Sequence, residues 1–331
     1  MSNAKQILAM LRSRAEGDDE QFYSIALQVA ASEARQGRRT TAEELRAAVE
    51  AARSKSESSV PIQLAKPRGD LEGVFEFREP RYVLSDVVLN SRLRERIDDV
   101  VREQARRDWL REHGKVPNRR VLFLGPPGSG KTMTAEALAG QLRLPLFVIR
   151  LEALITRYMG ETAAKLRLVF DETARRRGVY LFDEFDAVGG RRSATNDVAE
   201  MRRVLNSFLQ YMEEENATDS LIVGATNHPE LLDKALLRRF DLVLIFDMPS
   251  DEEIKRIVNI ALRPFKMGRI AWSKVVPAAA ALSQAEITKA AEDAVKAAIL
   301  EEKNSVTTDQ LLRRLQERRE MQEAFSNTKL G

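Results

Sequence analysis

The chain has 331 residues with 53 Lys or Arg against 50 Asp or Glu, a nearly balanced charge that argues against a nucleic-acid-binding protein. It has no cysteine and only two histidines, His113 and His228, which excludes disulfides and thiol chemistry and leaves little with which to build a zinc site. No stretch approaches eighteen uninterrupted apolar residues, and the N-terminus leads into an amphipathic segment, so a cytoplasmic protein without membrane span or signal peptide is expected.

Residues 1–53 read as a small N-terminal helical domain. Phe22, Ile25, Ala26, Val29 and Ala30 recur at the spacing of one helical face, and no strand pattern interrupts them. Residues 54–81, with a serine-rich run and Pro61, Pro67 and Pro80, read as a linker. From residue 82 to 249 the pattern alternates between strand and helix. Apolar, β-prone runs at 121–124, 146–149, 179–182, 221–225 and 242–246 predict a parallel sheet of five strands sandwiched by helices, an α/β fold. Helical segments alone then fill 250–320, which predicts a C-terminal helical lid domain, and 321–331 is expected to be a disordered tail.

Directly after the first of these runs comes Gly125-Pro126-Pro127-Gly128-Ser129-Gly130-Lys131-Thr132, followed by the helical Met133. Glycines at this spacing let backbone N–H groups form a nest around an anion, and the helix that follows turns its positive end to the same point. Lys131 can then meet the β- and γ-phosphates of a nucleoside triphosphate, and Thr132 can offer a hydroxyl to Mg²⁺. The run 179–182 ends in Asp183-Glu184, a pair suited to holding the Mg²⁺ water shell and to polarising an attacking water, respectively. ATP and Mg²⁺ are the expected ligands, in a fold of the P-loop nucleotide triphosphatase kind.

The strand 221–225 leads into Thr226-Asn227, and then into Leu232-Asp233-Lys234-Ala235-Leu236-Leu237-Arg238-Arg239-Phe240-Asp241. With the two motifs above, this resembles the AAA family of ATPases. The resemblance implies that Asn227 is a polar sensor of the γ-phosphate and attacking water. It also implies that Arg238 and Arg239 act on the ATP of a neighbouring subunit, the adjacent pair standing where many relatives have Arg-Pro-Gly-Arg. Residues 155–162 are similar to the first pore loop of the katanin and spastin group, which puts Arg157, Tyr158 and Met159 in a central channel gripping an extended polypeptide. Adenine contacts are implied at Asp86, Val87 and Val88 and, from the lid, at Ile257, Gln284 and Ala285, where Gln284-Ala285-Glu286 replaces the Gly-Ala-Asp of many relatives. The implied protein is a homo-hexamer that remodels, unfolds or threads a partner protein recruited by the N-terminal helices. Small bacterial AAA remodellers of this layout occur in protease-linked or phage-defence operons. A HORMA-type remodeller, a nucleic-acid-handling loader and a nucleotide-dependent scaffold are the alternatives.

Overall fold

The computed structural model describes residues 73–154, 159–184, 206–214, 218–232, 234–263, 265 and 269–328, together with residues 25, 26, 29, 30, 43 and 49. The chain divides into two compact units, Met1–Ala65 and Lys66–Gly331. In the first unit Ile25, Ala26, Val29 and Ala30 are helical, and Ala26 and Ala30 are buried, as is the helical Val49. Phe22 and residues 54–72 of the expected linker lie outside the described residues.

The second unit is built on a six-stranded sheet. Its strands are β1 (Phe75–Arg78), β2 (Arg120–Leu124), β3 (Leu146–Ile149), β4 (Val179–Phe182), β5 (Leu221–Thr226) and β6 (Leu242–Ile245), in the order β1-β3-β4-β5-β2-β6. The five strands expected from the sequence are all present and pair in parallel. The sixth corrects the linker reading. Phe75–Arg78 pairs antiparallel with β3, and Phe75 lies edge-on to Phe147 and Tyr180. A four-residue edge strand, polar at Glu76 and Arg78, has no apolar run by which to announce itself; its partner supplies the missing contacts.

The central strands β3, β4 and β5 are buried at every position, as sequences covered on both faces must be. On one face pack α1 (Ser91–Ala105) and α3 (Lys131–Leu142). Helix α1 starts at Asn90, whose side chain accepts a hydrogen bond from Leu93 N–H, and inserts Leu93, Ile97 and Val100 at helical spacing. Between α1 and β2 lies the short α2 (Arg107–Glu112). On the opposite face Phe182 of β4 packs against Phe170 of α5 (Met159–Arg175) and Phe208, with α4 (Leu151–Leu154) preceding α5. Past β5 come a 3-10 turn at Pro229–Leu231 and α6 (Lys234–Leu237).

The lid comprises α7 (Asp251–Leu262), α8 (Trp272–Ala279), α9 (Gln284–Leu300) and α10 (Thr308–Thr328). Capping boxes Ser250/Glu253 and Ser283/Glu286 set where α7 and α9 begin. Ala290, Ala291, Ala294 and Ala298 are fully buried, so small side chains let α9 approach its neighbours closely. Helix α10 continues through Thr328, and the tail expected from residue 321 is helical over most of its length. Its Glu, Gln and Arg residues are good helix formers, so the lack of an apolar stripe there did not end the helix.

The segment entering the sheet is pressed onto α3. Arg81 N–H donates to Glu136 Oε1 at 3.0 Å, and a Cβ on Gly140 would stand 2.2 Å from Tyr82 O. Gly140→Ala is therefore expected to destabilise the fold by about 1–2 kcal/mol, overpacking of about 1–3 kcal/mol outweighing the gain of about 1 kcal/mol in helix propensity. Urea unfolding checks this, and a more stable variant would show that residues 80–82 yield to a methyl group.

Candidate nucleotide site

Strand β2 lies between β5 and β6, so the loop leaving its C-terminal end is crowded from both sides. Gly125 N–H donates to Thr226 O at 3.3 Å, and a Cβ at Gly125 would come within 2.2 Å of Phe246 O. With φ at 152°, this position accepts glycine alone. The loop then closes on Lys131, the first residue of α3. Its buried ammonium donates to Gly125 O, Pro126 O and Asn227 Oδ1, each at 2.8 Å, with Ser129 Oγ at 3.4 Å. One cation thus joins the loop to the end of β5, across a sequence separation of 96 residues. A nest of glycine backbone, a buried ammonium and a helix N-terminus facing one concavity fits a triphosphate.

Thr132 Oγ1 donates to Asp183 Oδ2 at 2.8 Å, while Asp183 Oδ1 accepts from Glu184 N–H at 3.0 Å. The carboxylate is oriented from two sides, and the hydroxyl and carboxylate together suit a magnesium ion that keeps part of its water shell. Glu184 has φ at 51° and an exposed side chain. A left-handed non-glycine residue costs about 1–2 kcal/mol, and here it turns the chain sharply where β4 ends. Beyond Asn227, His228 Nδ1 lies 3.0 Å from Glu230 Oε1 on the surface.

The residues expected around adenine separate into two groups. Val88, Ile257 and Gln284 line one cleft, together with Ser129 of the phosphate loop, Phe246 and Met248. Val87 instead points into the core of the sheet domain, and Asp86 closes a local turn by accepting from Val83 N–H at 3.0 Å. Ala285 acts through its backbone, donating to Gly128 O at 3.0 Å. The lid is thereby bound directly to the phosphate loop, and a Cβ at Gly128 would meet Ser283 Oγ at 2.5 Å. Leu89, Asn90 and Phe246 were not singled out from the sequence, whereas Ser283 belongs with Gln284 and Ala285 to the lid segment that the resemblance implied. The capping box Ser283-x-x-Glu286 was the one legible signal, since it marks where α9 turns its N-terminus to the loop.

Arg238 and Arg239 are both exposed, and Arg239 forms an ion pair with Glu213 of the same chain. Arg157 and Tyr158 lie outside the described residues, as does the side chain of Met159; the backbone of Met159 opens α5.

Residues 121–248 match the ATPase family associated with various cellular activities (AAA). An uncharacterized AAA family ATPase, y4kL, of Sinorhizobium fredii is 36% identical over 306 residues, covering 91% of each chain. The chain belongs to the AAA ATPase family. It is 33% identical over 218 residues to a putative 26S proteasome regulatory subunit homolog of Methanothermobacter thermautotrophicus, covering 64% of this chain and 56% of that one. An ATP-dependent zinc metalloprotease FtsH of Lancefieldella parvula is 32% identical over 232 residues, 68% of this chain and 36% of that protein. The chain therefore spans about half and about a third of the length of these two relatives. This AAA ATPase binds nucleotide and hydrolyses ATP. Among the described residues no helix is long and apolar enough to cross a membrane.

Proposed function

We propose that this AAA ATPase assembles into a homo-hexameric ring in the cytoplasm and uses hydrolysis of Mg-ATP to remodel or thread a partner protein through its central pore. The observation that carries the reading is the meeting of Lys131 with Asn227 and of Thr132 with Asp183 at one end of the sheet, beside two exposed arginines. In this reading the loop amides and Lys131 hold the triphosphate, and Thr132 and Asp183 hold Mg²⁺, which would neutralise phosphate charge when bound. Glu184 orients and polarises the attacking water, with Asn227 fixing it from the other side. Val88, Ile257 and Gln284 close over the base.

Two surface features support assembly. β6 is an edge strand with outward Val243 and Ile245 exposed by 37% and 60%, an apolar border suited to burial against a second copy. Arg238 follows α6 and is exposed, without an ion pair among the described residues, whereas Arg239 is engaged by Glu213. Arg238 is accordingly the finger that neutralises transition-state charge on the neighbour's ATP, and Arg239 fixes the segment that carries it. Arg157, Tyr158 and Met159 grip the polypeptide, and the N-terminal helices recruit it. The names of the relatives, a proteasome regulatory subunit homolog and a protease, support a protein substrate.

Mixing tests the trans arrangement. Protein carrying Arg238→Ala and Arg239→Ala, combined equally with Lys131→Ala protein, offers sound sites whose neighbours supply sound arginines in roughly a quarter of positions, so turnover should return to about that fraction. Zero recovery in rings shown by crosslinking to be mixed would contradict intersubunit catalysis.

A further inference from the structure

The end of the sheet at which β4 and β5 begin carries a second set of functional-looking residues. Between 106 and 120 there are six basic residues, Arg106, Arg107, Arg111, Lys115, Arg119 and Arg120, against the acidic Asp108 and Glu112. The fold brings Arg177, the last of three consecutive arginines, to the same place. Buried Asp219 accepts from Arg111 Nη2 at 2.8 Å and lies 3.8 Å from Arg107 Nε, while Arg177 Nη2 donates to Gln104 Oε1 of α1 at 3.3 Å. Burial, and then the nearby Arg107, hold Arg177 below the ordinary guanidinium value, and its Nε is buried with no hydrogen-bond partner. Asp219 serves Arg107 and Arg111, and Asp241 takes Arg120 and the Arg119 N–H, which still leaves this surface with a positive excess, in a chain whose total charge is only +3.

On the same short helix as Arg107 and Arg111 stands Trp109, 55% exposed, with Val116 exposed by 67%. The indole is not loose. His113 lies against it with ring centroids 4.5 Å apart, and His113 Nδ1 is 2.8 Å from Trp109 O. A large apolar side chain kept in water but braced by its neighbour has already lost much of the freedom that binding would cost it, and Trp and Arg are the residues in which binding energy concentrates at interfaces.

We propose that the surface formed by Trp109, Arg106, Lys115 and the adjoining arginines is a docking site for an acidic polypeptide segment carrying an apolar side chain. Charge complementarity selects an acidic partner, and the indole selects the apolar residue. A polypeptide is favoured over nucleic acid by the pattern along α2. Asp108, 77% exposed on its side chain, and the exposed Glu112 stand among the basic residues, where they would repel a continuous row of phosphates but can be avoided by carboxylates spaced along a peptide. The surface lies away from the phosphate loop, at the opposite ends of the strands.

The test uses the full chain and a fluorescent peptide of about 12 residues, alternating Glu and Ser around one central Leu. Binding should weaken at least about tenfold in Trp109→Ala and in the double variant Arg106→Glu/Lys115→Glu, the loss of about 1.4 kcal/mol or more expected of an interface anchor. Replacing the probe's Leu by Ser should weaken binding to the wild type but add little to Trp109→Ala, because both changes remove one contact. ATP turnover should be unchanged in each variant, which reports an intact fold. The proposal fails if the peptide does not bind, if Trp109→Ala binds it as well as wild type does, or if duplex DNA binds more tightly than the peptide with the same dependence on Trp109.

Discussion

Lys131→Ala is expected to weaken ATP binding by a factor of at least about one hundred, and with it to abolish turnover at ordinary ATP concentrations. The ammonium is buried at the root of the phosphate loop, where each hydrogen bond it makes to an anionic oxygen should contribute about 1.5–3 kcal/mol. Two such bonds together amount to about 3–6 kcal/mol, and every 1.4 kcal/mol is a factor of about ten. The same amine also ties Gly125, Pro126 and Asn227 together, so its removal leaves three oxygens without that donor. Folding must therefore be checked alongside binding. A titration with a fluorescent ATP analogue, read beside the unfolding midpoint, separates the two effects; affinity within about threefold of wild type would overturn the assignment of Lys131 to the phosphates.

Glu184→Gln should leave ATP affinity within about threefold of wild type and lower the rate constant for hydrolysis by about 10²–10⁴, the range seen when a general base is lost. The structure explains why the two effects should part. Toward Asp183, Glu184 contributes its backbone N–H, which the substitution retains, and its exposed carboxylate does not hold the loop or Thr132. Gln keeps the shape and removes the negative charge that polarises water. Single-turnover hydrolysis of bound ATP measures the chemical step directly, and rapid turnover by the variant would transfer the water-activating role to another group.

These expectations draw on two kinds of information that the chain carries differently. The phosphate loop and the Asp183-Glu184 pair were legible because their chemistry depends on residues a few positions apart: glycines that let the chain fold back, a lysine where a helix begins, acids where a buried strand ends. The five parallel strands were legible for a similar reason, since burial on both faces demands a continuous apolar run. The polar edge strand Phe75–Arg78 escaped notice because its stability comes from pairing with Leu146–Ile149 rather than from its own composition. Likewise Val87 and Val88, neighbours of identical chemistry, go to the sheet core and to the lid-lined cleft, a division that only the path of the backbone makes.

By itself, then, the sequence determined that this chain is a nucleotide-binding ATPase, and which short segments are proposed to hold the nucleotide. Tertiary structure decided how those segments meet. Strand order alone puts β2 beside β5, so that Lys131 reaches Asn227, and packing of the lid alone brings Ala285 N–H to Gly128 O. The same folding gathers Arg107, Arg111 and Arg177, from elements far apart in the chain, around Asp219. The physical reason is one of range: a motif acts through bonds and dihedrals between near neighbours, whereas a site depends on strand register and packing between residues that the chain does not otherwise connect.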